Sequence, residues 1–390
     1  MSARDDPVPN RPTVISLFTG GMGLDLGFEL SGFDVRVSVD KDPWAAATVK
    51  ANRPRVGRLT GDIQEVTTEQ ILEVGRLEPG QATVLTGGPP CEPFSTAGRR
   101  GSIQDGRAQA IFEFLRVVRE ARPWCFVMEQ VPGFLRAAKQ HMSFYDRIAW
   151  HPENLPPEYR LGSAFDEIMA EIASTGYALS FRPEYPKESV LNAADYGSPQ
   201  KRRRFILIGV REGSPIPLPA PTHGPEGSGR TPWVTIGEAF EELKEQNPEF
   251  TPFTDAWAEY LPLVPPGGCW RDIPNDLHAD ALGGAYDFAG TGLKGGRTGF
   301  LRRLSWDQPS PTLVDSPKTK AMCMCHPDED RPLSIAEYAR IQGFPPNWHW
   351  AGPITAKYRL IGQATPVPLA AAIARAVAGQ YESRHQLVPN

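Results

Sequence analysis

The sequence predicts an α/β fold, a parallel, doubly wound sheet with helices on both faces, joined to a second, smaller and irregular domain. Three observations carry this. Short apolar runs alternate with helical stretches through the first two hundred residues, the pattern of successive strand-helix units. Several of the runs stop at glycine-rich or acidic turns, such as Thr19-Gly20-Gly21 and Asp40. After Val210 the texture changes: residues 211–230 are crowded with Pro, Gly and Ser, and no sustained periodicity returns before about Phe300.

Each element rests on its own residues. Val14-Ile15-Ser16-Leu17-Phe18 is a short apolar run closed by the Thr19-Gly20-Gly21 turn. Leu24 to Leu30 reads as helix, and Val35-Arg36-Val37-Ser38-Val39 alternates as a strand does. Trp44 to Asn52 is alanine-rich and helical, and Ala82 to Thr86 is a buried strand. Ile111, Leu115 and Val118 fall at helical spacing within Ala108 to Ala121, which Arg122-Pro123 ends. Cys125 to Met128 follows as a strand. Phe165, Ile168 and Ile172 mark a helix that Gly176 can cap, and Phe205 to Val210 is a last strong strand. Ser334-Ile335-Ala336-Glu337 has the capping-box pattern of a helix start, and residues 367–378 form a final alanine-rich helix.

Composition sets outer limits. With 390 residues and 40% hydrophobic content the chain can bury a large core and divide into two domains. Gly 37 and Pro 40 are high counts, yet below the roughly 25–30% that marks disorder. No stretch approaches the roughly 20 apolar residues of a membrane span. Met1 to Pro12 is polar with both charge signs, unlike a signal peptide. Five irregularly spaced cysteines do not form a disulfide framework in so long a chain, which points to a reducing, cytoplasmic setting. The net charge of -5 argues against a nucleic-acid partner at first sight, but phosphates are met by a local patch rather than by the mean.

Candidate chemistry lies at the strand ends, where ligands bind in such sheets. Phe18-Thr19-Gly20-Gly21-Met22-Gly23 is either plain turn chemistry or a cofactor loop. Asp40, about 20 residues on, stands where a ribose-binding carboxylate belongs, although an acid there also suits a helix N-cap. Asp62 is a third candidate. Gly87-Gly88-Pro89-Pro90-Cys91-Glu92-Pro93-Phe94-Ser95 sets a cysteine in a rigid turn. A lone cysteine is usually an inert core residue, but flanking prolines make a core position a poor fit. Glu129 closes the next strand and can protonate or hold a ring nitrogen. Gln200-Lys201-Arg202-Arg203-Arg204 packs four cations before a strand, a solvated surface or a grip on an anion or base edge. Cys323-Met324-Cys325-His326 has no second cluster to complete a zinc site, so no metal is assigned.

Taken in order, these segments closely resemble the cytosine carbon-5 DNA methyltransferase family over nearly the whole chain. The likeness continues in Arg303-Leu304, Pro309-Ser310-Pro311-Thr312-Leu313, Ala339-Arg340-Ile341-Gln342-Gly343-Phe344-Pro345 and Gly362-Gln363-Ala364. It implies a Rossmann-like, S-adenosylmethionine-dependent methyltransferase sheet in residues 1–213, target recognition in 214–330 and a return to the catalytic domain in 331–390. It also implies that a cytosine is flipped out of duplex DNA and attacked at carbon 6 by the Cys91 thiolate. Glu129 would hold the ring, with Arg202 and Arg204 contacting the base and the active-site acids. Phe18, Gly20, Gly23, Asp40, Asp62, Ile63, Pro90 and Gln363 match the cofactor pocket. Ser95, Arg99, Arg100, Gln200 and Arg303 are assigned to DNA. Gly98, Gly101 and Gly106 supply hinges to a catalytic loop after Cys91.

Four residues depart from the family pattern. Met22 replaces a glycine, Glu92 a glutamine, and Gln130 and Gln363 each an asparagine. The implied partners are double-stranded DNA and a cognate restriction endonuclease or other defence protein, with a monomeric enzyme and no membrane. A nicotinamide-dependent oxidoreductase would share the sheet and Asp40 but would not need Pro90-Cys91 or the arginine run. An RNA cytosine methyltransferase and a catalytically silent DNA-binding relative would each share most of these segments. The long recognition region opposes the first, and intact Cys91 and Glu129 oppose the second.

Overall fold

A computed structural model of the chain describes residues 11–90, 109–140, 142, 155–241, 243, 247–282, 299–319 and 322–385. The chain packs as two compact units: residues 1–192, 203–220 and 369–390 form the larger, and 193–202 with 221–368 the smaller.

The larger unit is built on a central sheet. Its first strands are β1 (Thr13–Leu17), β2 (Asp34–Asp40), β3 (Gly57–Thr60), β4 (Val84–Gly87) and β5 (Cys125–Gln130), in spatial order 3-2-1-4-5. All of these neighbours run parallel. Val14, Ile15, Val84, Leu85, Phe126 and Val127 are buried, as expected of strands covered on both faces. The covering helices include α1 (Gly23–Leu30), α2 (Pro43–Asn52), α3 (Thr68–Gly75), α4 (Gln109–Ala121) and α5 (Ser163–Ala173). Local sequence explains their starts: the Asp42 side chain accepts from Trp44 N ahead of α2, and Thr67 and Gln70 form a capping box ahead of α3.

The sheet departs from the expected all-parallel arrangement at its far side. Beyond β5 come β6 (Ala178–Leu179), β7 (Val190–Asn192) and, after β8 (Gln200–Lys201) in the smaller unit, β9 (Arg203–Val210). Strand β9 lies beside β5 and runs antiparallel to it, as it does to β6 and β7. A parallel neighbour needs a crossover connection, usually a helix. The short link from Asn192 to Arg203 instead turns the chain straight back, so Val190 pairs with Phe205 and Asn192 with Arg203. The doubly wound α/β reading holds, with a mixed sheet.

Glycine is required where α1 meets the final helix, Val367–His385, whose residues from 369 belong to the larger unit. A Cβ on Gly27 would lie 2.4 Å from that of Ala370, so only hydrogen fits between the two backbones.

The smaller unit is irregular, as its sequence predicts. Its helices are short pieces at Ile236–Phe240, Asp255–Ala258 and His278–Leu282, with longer ones at Ile335–Ile341 and Ile354–Gln363. Phe253, Trp257, Leu261, Trp270, Cys323 and Cys325 share one of its apolar clusters. Burial pushes the Cys325 thiol up to about 12, so it is inert rather than reactive. Among the described residues no three His, Cys, Asp or Glu side chains converge as metal ligands. The Ser334–Glu337 capping box forms, and Arg331 donates to both carboxylate oxygens of Glu337 at 2.8 Å. Among the described residues no single helix is long and apolar enough to cross a membrane.

Candidate active site

The strand order reverses between β1 and β4, whose last residues, Leu17 and Gly87, are paired. A crevice opens past the carboxyl ends of two such strands, and there an α/β sheet binds its ligand. The turn leaving β1 is unusually contorted. Phe18, Gly20 and Met22 all have positive φ (55°, 53° and 68°), and Met22 is fully buried. Left-handed backbone costs a bulky residue free energy, so the surrounding packing must hold this turn. Part of that hold comes from Asp40 at the end of β2: its Oδ2 accepts from Gly20 N at 2.7 Å and its Oδ1 from Asp42 N at 2.8 Å. Burial raises the Asp40 carboxyl above its ordinary range, and the two backbone bonds offset this in part. Gly23 opens α1. Asp62 caps the turn after β3 by accepting from Gln64 N, and Ile63 is buried in the core.

The other wall of chemistry stands at the ends of β4, β5 and β9. Arg204 Nε and Glu129 Oε1 are 2.5 Å apart, with both side chains mostly buried. A Cβ on Gly88 would lie 3.1 Å from Glu129 Oε2, so a glycine there lets the turn after β4 come against the carboxylate. Gln130 is buried, and its Nε2 donates to the Pro89 carbonyl at 2.7 Å. That bond ties β5 to Pro89, two residues before Cys91. Cys91, Ser95, Arg99, Arg100 and the glycine hinges lie outside the described residues.

The sequence profile described as C-5 cytosine-specific DNA methylase matches residues 12–379. The chain belongs to this family. Among similar proteins, the Escherichia coli type II methyltransferase M.Eco47II is 35% identical over 94% of this chain and 78% of its own length. The Staphylococcus aureus type II methyltransferase M.Sau96I is 31% identical over 93% and 75%. A solved structure of a candidate DNA modification methyltransferase encoded within an E. coli prophage superposes with a TM-score of 0.62. It shares 23% identity and covers 95% of this chain and 99% of its own. The S. pombe Dnmt2 methyltransferase gives 0.53 at 17% identity over 95% and 99%. These two likenesses establish the fold, and the family match establishes the enzyme as a DNA cytosine-5 methyltransferase.

The methylase's remaining sequence-assigned residues lie in the smaller unit. Arg202 is buried, donating to the Leu313 carbonyl at 2.9 Å and to that of Gln363 at 3.4 Å. Gln363 ends its helix exposed, its amide donating to Asp315. Gln200 is fully buried: Leu313 N donates to its Oε1, and its Nε2 donates to Gln342, both at 2.8 Å. Arg303 is also buried, donating to the carbonyls of Leu261, Val264, His326 and Glu329 and to the Asp330 carboxylate. The sequence assigned both to DNA; the structure places both as internal braces, because the Gln200 amide and every donor of the Arg303 guanidinium find partners inside their own unit.

Sequence reading passed over Asp25, an acid in the first turn of α1 where the helix dipole ordinarily welcomes one. The available signal was its place between Leu24 and Leu26 in a run whose residues are almost all buried. Asp25 is 1% exposed, and neither carboxylate oxygen has a hydrogen-bond partner. Burial raises its pKa from 3.8 to about 7; the Ser16 and Thr86 hydroxyls oppose that rise, and Glu29 and Asp40 add to it. The folded methylase therefore holds a proton here that the unfolded chain has released, and this contribution to stability is lost as pH rises from about 4 to about 7. The shift has a ceiling on the order of 4 kcal/mol. Denaturant unfolding is expected to show this loss in the wild type and a flatter profile in Asp25→Asn; parallel profiles would contradict it.

Proposed function

We propose that this methyltransferase takes its methyl group from S-adenosylmethionine and activates a flipped-out cytosine by covalent attack of Cys91 at carbon 6. The observation that carries this reading is the Glu129–Arg204 pair held against Gly88, with Gln130 securing Pro89 beside the nucleophile's segment. Arg204 holds the Glu129 carboxyl at the strand end, where it can meet the ring nitrogen and exocyclic amine of an inserted base. That contact stabilises the charge that develops when the thiolate adds. Arg202 braces the chain on the Leu313 side.

The turn after β1 fits a nucleoside-containing methyl donor. Its backbone is already bent, and Asp40 has one backbone bond on each oxygen with lone pairs left for a ribose diol. S-adenosylmethionine would supply the activated methyl group; Phe18, Gly20, Gly23, Asp62, Ile63 and Pro90 would shape its pocket. Calorimetry without DNA should show binding to the wild type that Asp40→Ala weakens roughly tenfold or more, the cost of a lost charge-assisted pair of hydrogen bonds. Binding of a nicotinamide nucleotide in place of S-adenosylmethionine would overturn the assignment.

We assign choice of the DNA site to residues 214–330 and catalysis to the remainder, noting that 331–368 pack with the smaller unit. Irregular backbone carrying arginines and aromatics can diverge without disturbing the catalytic motifs. Grafting 214–330 from a relative with another target should redirect methylation, and a hybrid active only at the original site would place recognition elsewhere. Ser95, Arg99 and Arg100 would meet DNA from the segment after Cys91. The type II relatives support a restriction-modification role; we assign it a cognate endonuclease as partner and a monomeric enzyme in the cytoplasm.

A further inference from the structure

We propose that Lys201, held over the ring of Trp233, and Arg230 on the adjoining loop form a clamp for a backbone phosphate of the DNA duplex on the smaller unit. A phosphate contact positions DNA without reading its sequence, so the clamp is separate from the choice of site assigned above.

The run Gln200-Lys201-Arg202 alternates as extended chain does. Gln200 and Arg202 are buried and spent on internal hydrogen bonds. Lys201, between them, is exposed. Its backbone is fixed, since Gln200 and Lys201 pair with Ser310 and Pro311, and the Lys201 carbonyl accepts from Thr312 Oγ1 at 2.8 Å. The inward residues brace the unit; the outward cation has no such task.

Trp233 is fixed as firmly. Its indole Nε1 donates to Asp195 Oδ1 at 2.8 Å, and its backbone N donates to the Gly224 carbonyl at 3.0 Å. His223 and Gly224 pair in turn with Thr231 and Pro232, and Thr222 N donates to the Asp195 carbonyl at 2.9 Å. The ring is therefore a held platform, and Lys201 Nζ lies 4.8 Å from its centroid. The ring quadrupole attracts the ammonium and keeps its long stem in one place. Less rotamer entropy is then lost when the ammonium grips an anion.

The charges agree. Among the described residues neither Lys201 nor Arg230 pairs with a carboxylate. Arg230 is exposed on the loop between the two paired segments, its Cδ 3.6 Å from where a Cβ on Gly224 would lie. Asp195, the one acid between Ala193 and Arg202, is engaged by the indole, and Glu226 in the loop pairs with neither cation. Exposed cations elsewhere are neutralised: Arg119 pairs with Glu171, and Arg182 with Glu188. Two unneutralised cations by a fixed aromatic ring, in a chain of net charge -5 that acts on DNA, suit a phosphate.

The test is equilibrium binding of the whole protein to a random-sequence duplex and to one carrying its mapped target site, from about 50 to about 200 mM salt. Removing one phosphate contact takes about 0.9 from the slope of log affinity against log salt. Lys201→Gln and Arg230→Gln should each show that loss, so that each defect shrinks about threefold over this range. Both duplexes should lose affinity by the same factor. Lys201→Arg keeps a cation that stacks on the indole and should restore the wild-type slope. Trp233→Leu should weaken binding by the wild type but not by Lys201→Gln, since the ring acts through the lysine. Lys50→Gln, which removes an exposed cation from α2, is the reference for charge removal alone and should keep the wild-type slope. An unchanged slope in either Lys201→Gln or Arg230→Gln overturns the clamp, whether or not Trp233→Leu folds. A loss confined to the target duplex, an equal loss in Lys50→Gln, or additive losses in Trp233→Leu and Lys201→Gln overturn it too. Grafting residues 214–330 succeeds or fails independently, so the recognition reading and the clamp are told apart.

Discussion

A duplex carrying 5-fluorocytosine at the target site is expected to remain covalently joined to this enzyme through Cys91, and Cys91→Ala is expected to abolish the adduct. Thiolate addition at carbon 6 makes carbon 5 nucleophilic, and the methyl group is then accepted there. Turnover finishes only when the substituent on carbon 5 leaves as a proton and the thiolate is expelled. Fluorine cannot leave as F⁺, so the methylated intermediate stays attached. Denaturing electrophoresis should therefore show a stable protein–DNA species that requires S-adenosylmethionine. Peptide mapping should place it on Cys91. Cys125, Cys323 and Cys325 are buried, and burial pushes each thiol well above the range in which a thiolate forms near neutral pH. Replacing any of these three should leave the adduct intact. An adduct on another cysteine, or an undiminished one in Cys91→Ala, would sink the mechanism.

Breaking the Glu129–Arg204 pair is expected to lower single-turnover methyl transfer by about 100-fold or more, the usual cost of removing a transition-state hydrogen bond. Glu129→Gln removes the charge that steadies the attacked ring. Arg204→Ala leaves that carboxylate mostly buried and without its cation, free to leave the geometry that meets the base. The two changes act on one unit, so the double variant should be little worse than the poorer single one. DNA affinity, measured separately, should change much less than the rate. Fully additive losses, or a loss explained by weaker DNA binding alone, would show that the pair does not act together on the base.

Two of the departures from the family pattern, Gln130 and Met22, show how far a linear reading reaches. The Gln130 substitution was visible as a longer amide, and the structure shows what the length does: it reaches the Pro89 carbonyl. Met22 was visible as a missing glycine. Its φ of 68° shows that the left-handed turn is kept all the same, with the side chain fully buried. In both cases the residue type could be read but its neighbour could not. Gln200 and Arg303 mislead for the same reason. A polar side chain in a nucleic-acid enzyme suggests a phosphate or base, yet the buried carbonyls around Arg303 come from Leu261, Val264, His326 and Glu329, spread over some seventy residues of chain.

The sequence by itself determined the strand-helix alternation, the glycine-rich turn after β1, the acid ending β2 and the Gly-Pro segment carrying Cys91. These are local: periodicity, turn chemistry and short spacings are written in consecutive residues. Tertiary structure alone decided that β9 enters the sheet antiparallel between β5 and β6, since an apolar run carries no record of its direction. It also decided that Arg303 is an internal brace and that Asp25 is buried. Each of these depends on which distant groups share a low-dielectric space, and that follows from packing rather than from order along the chain.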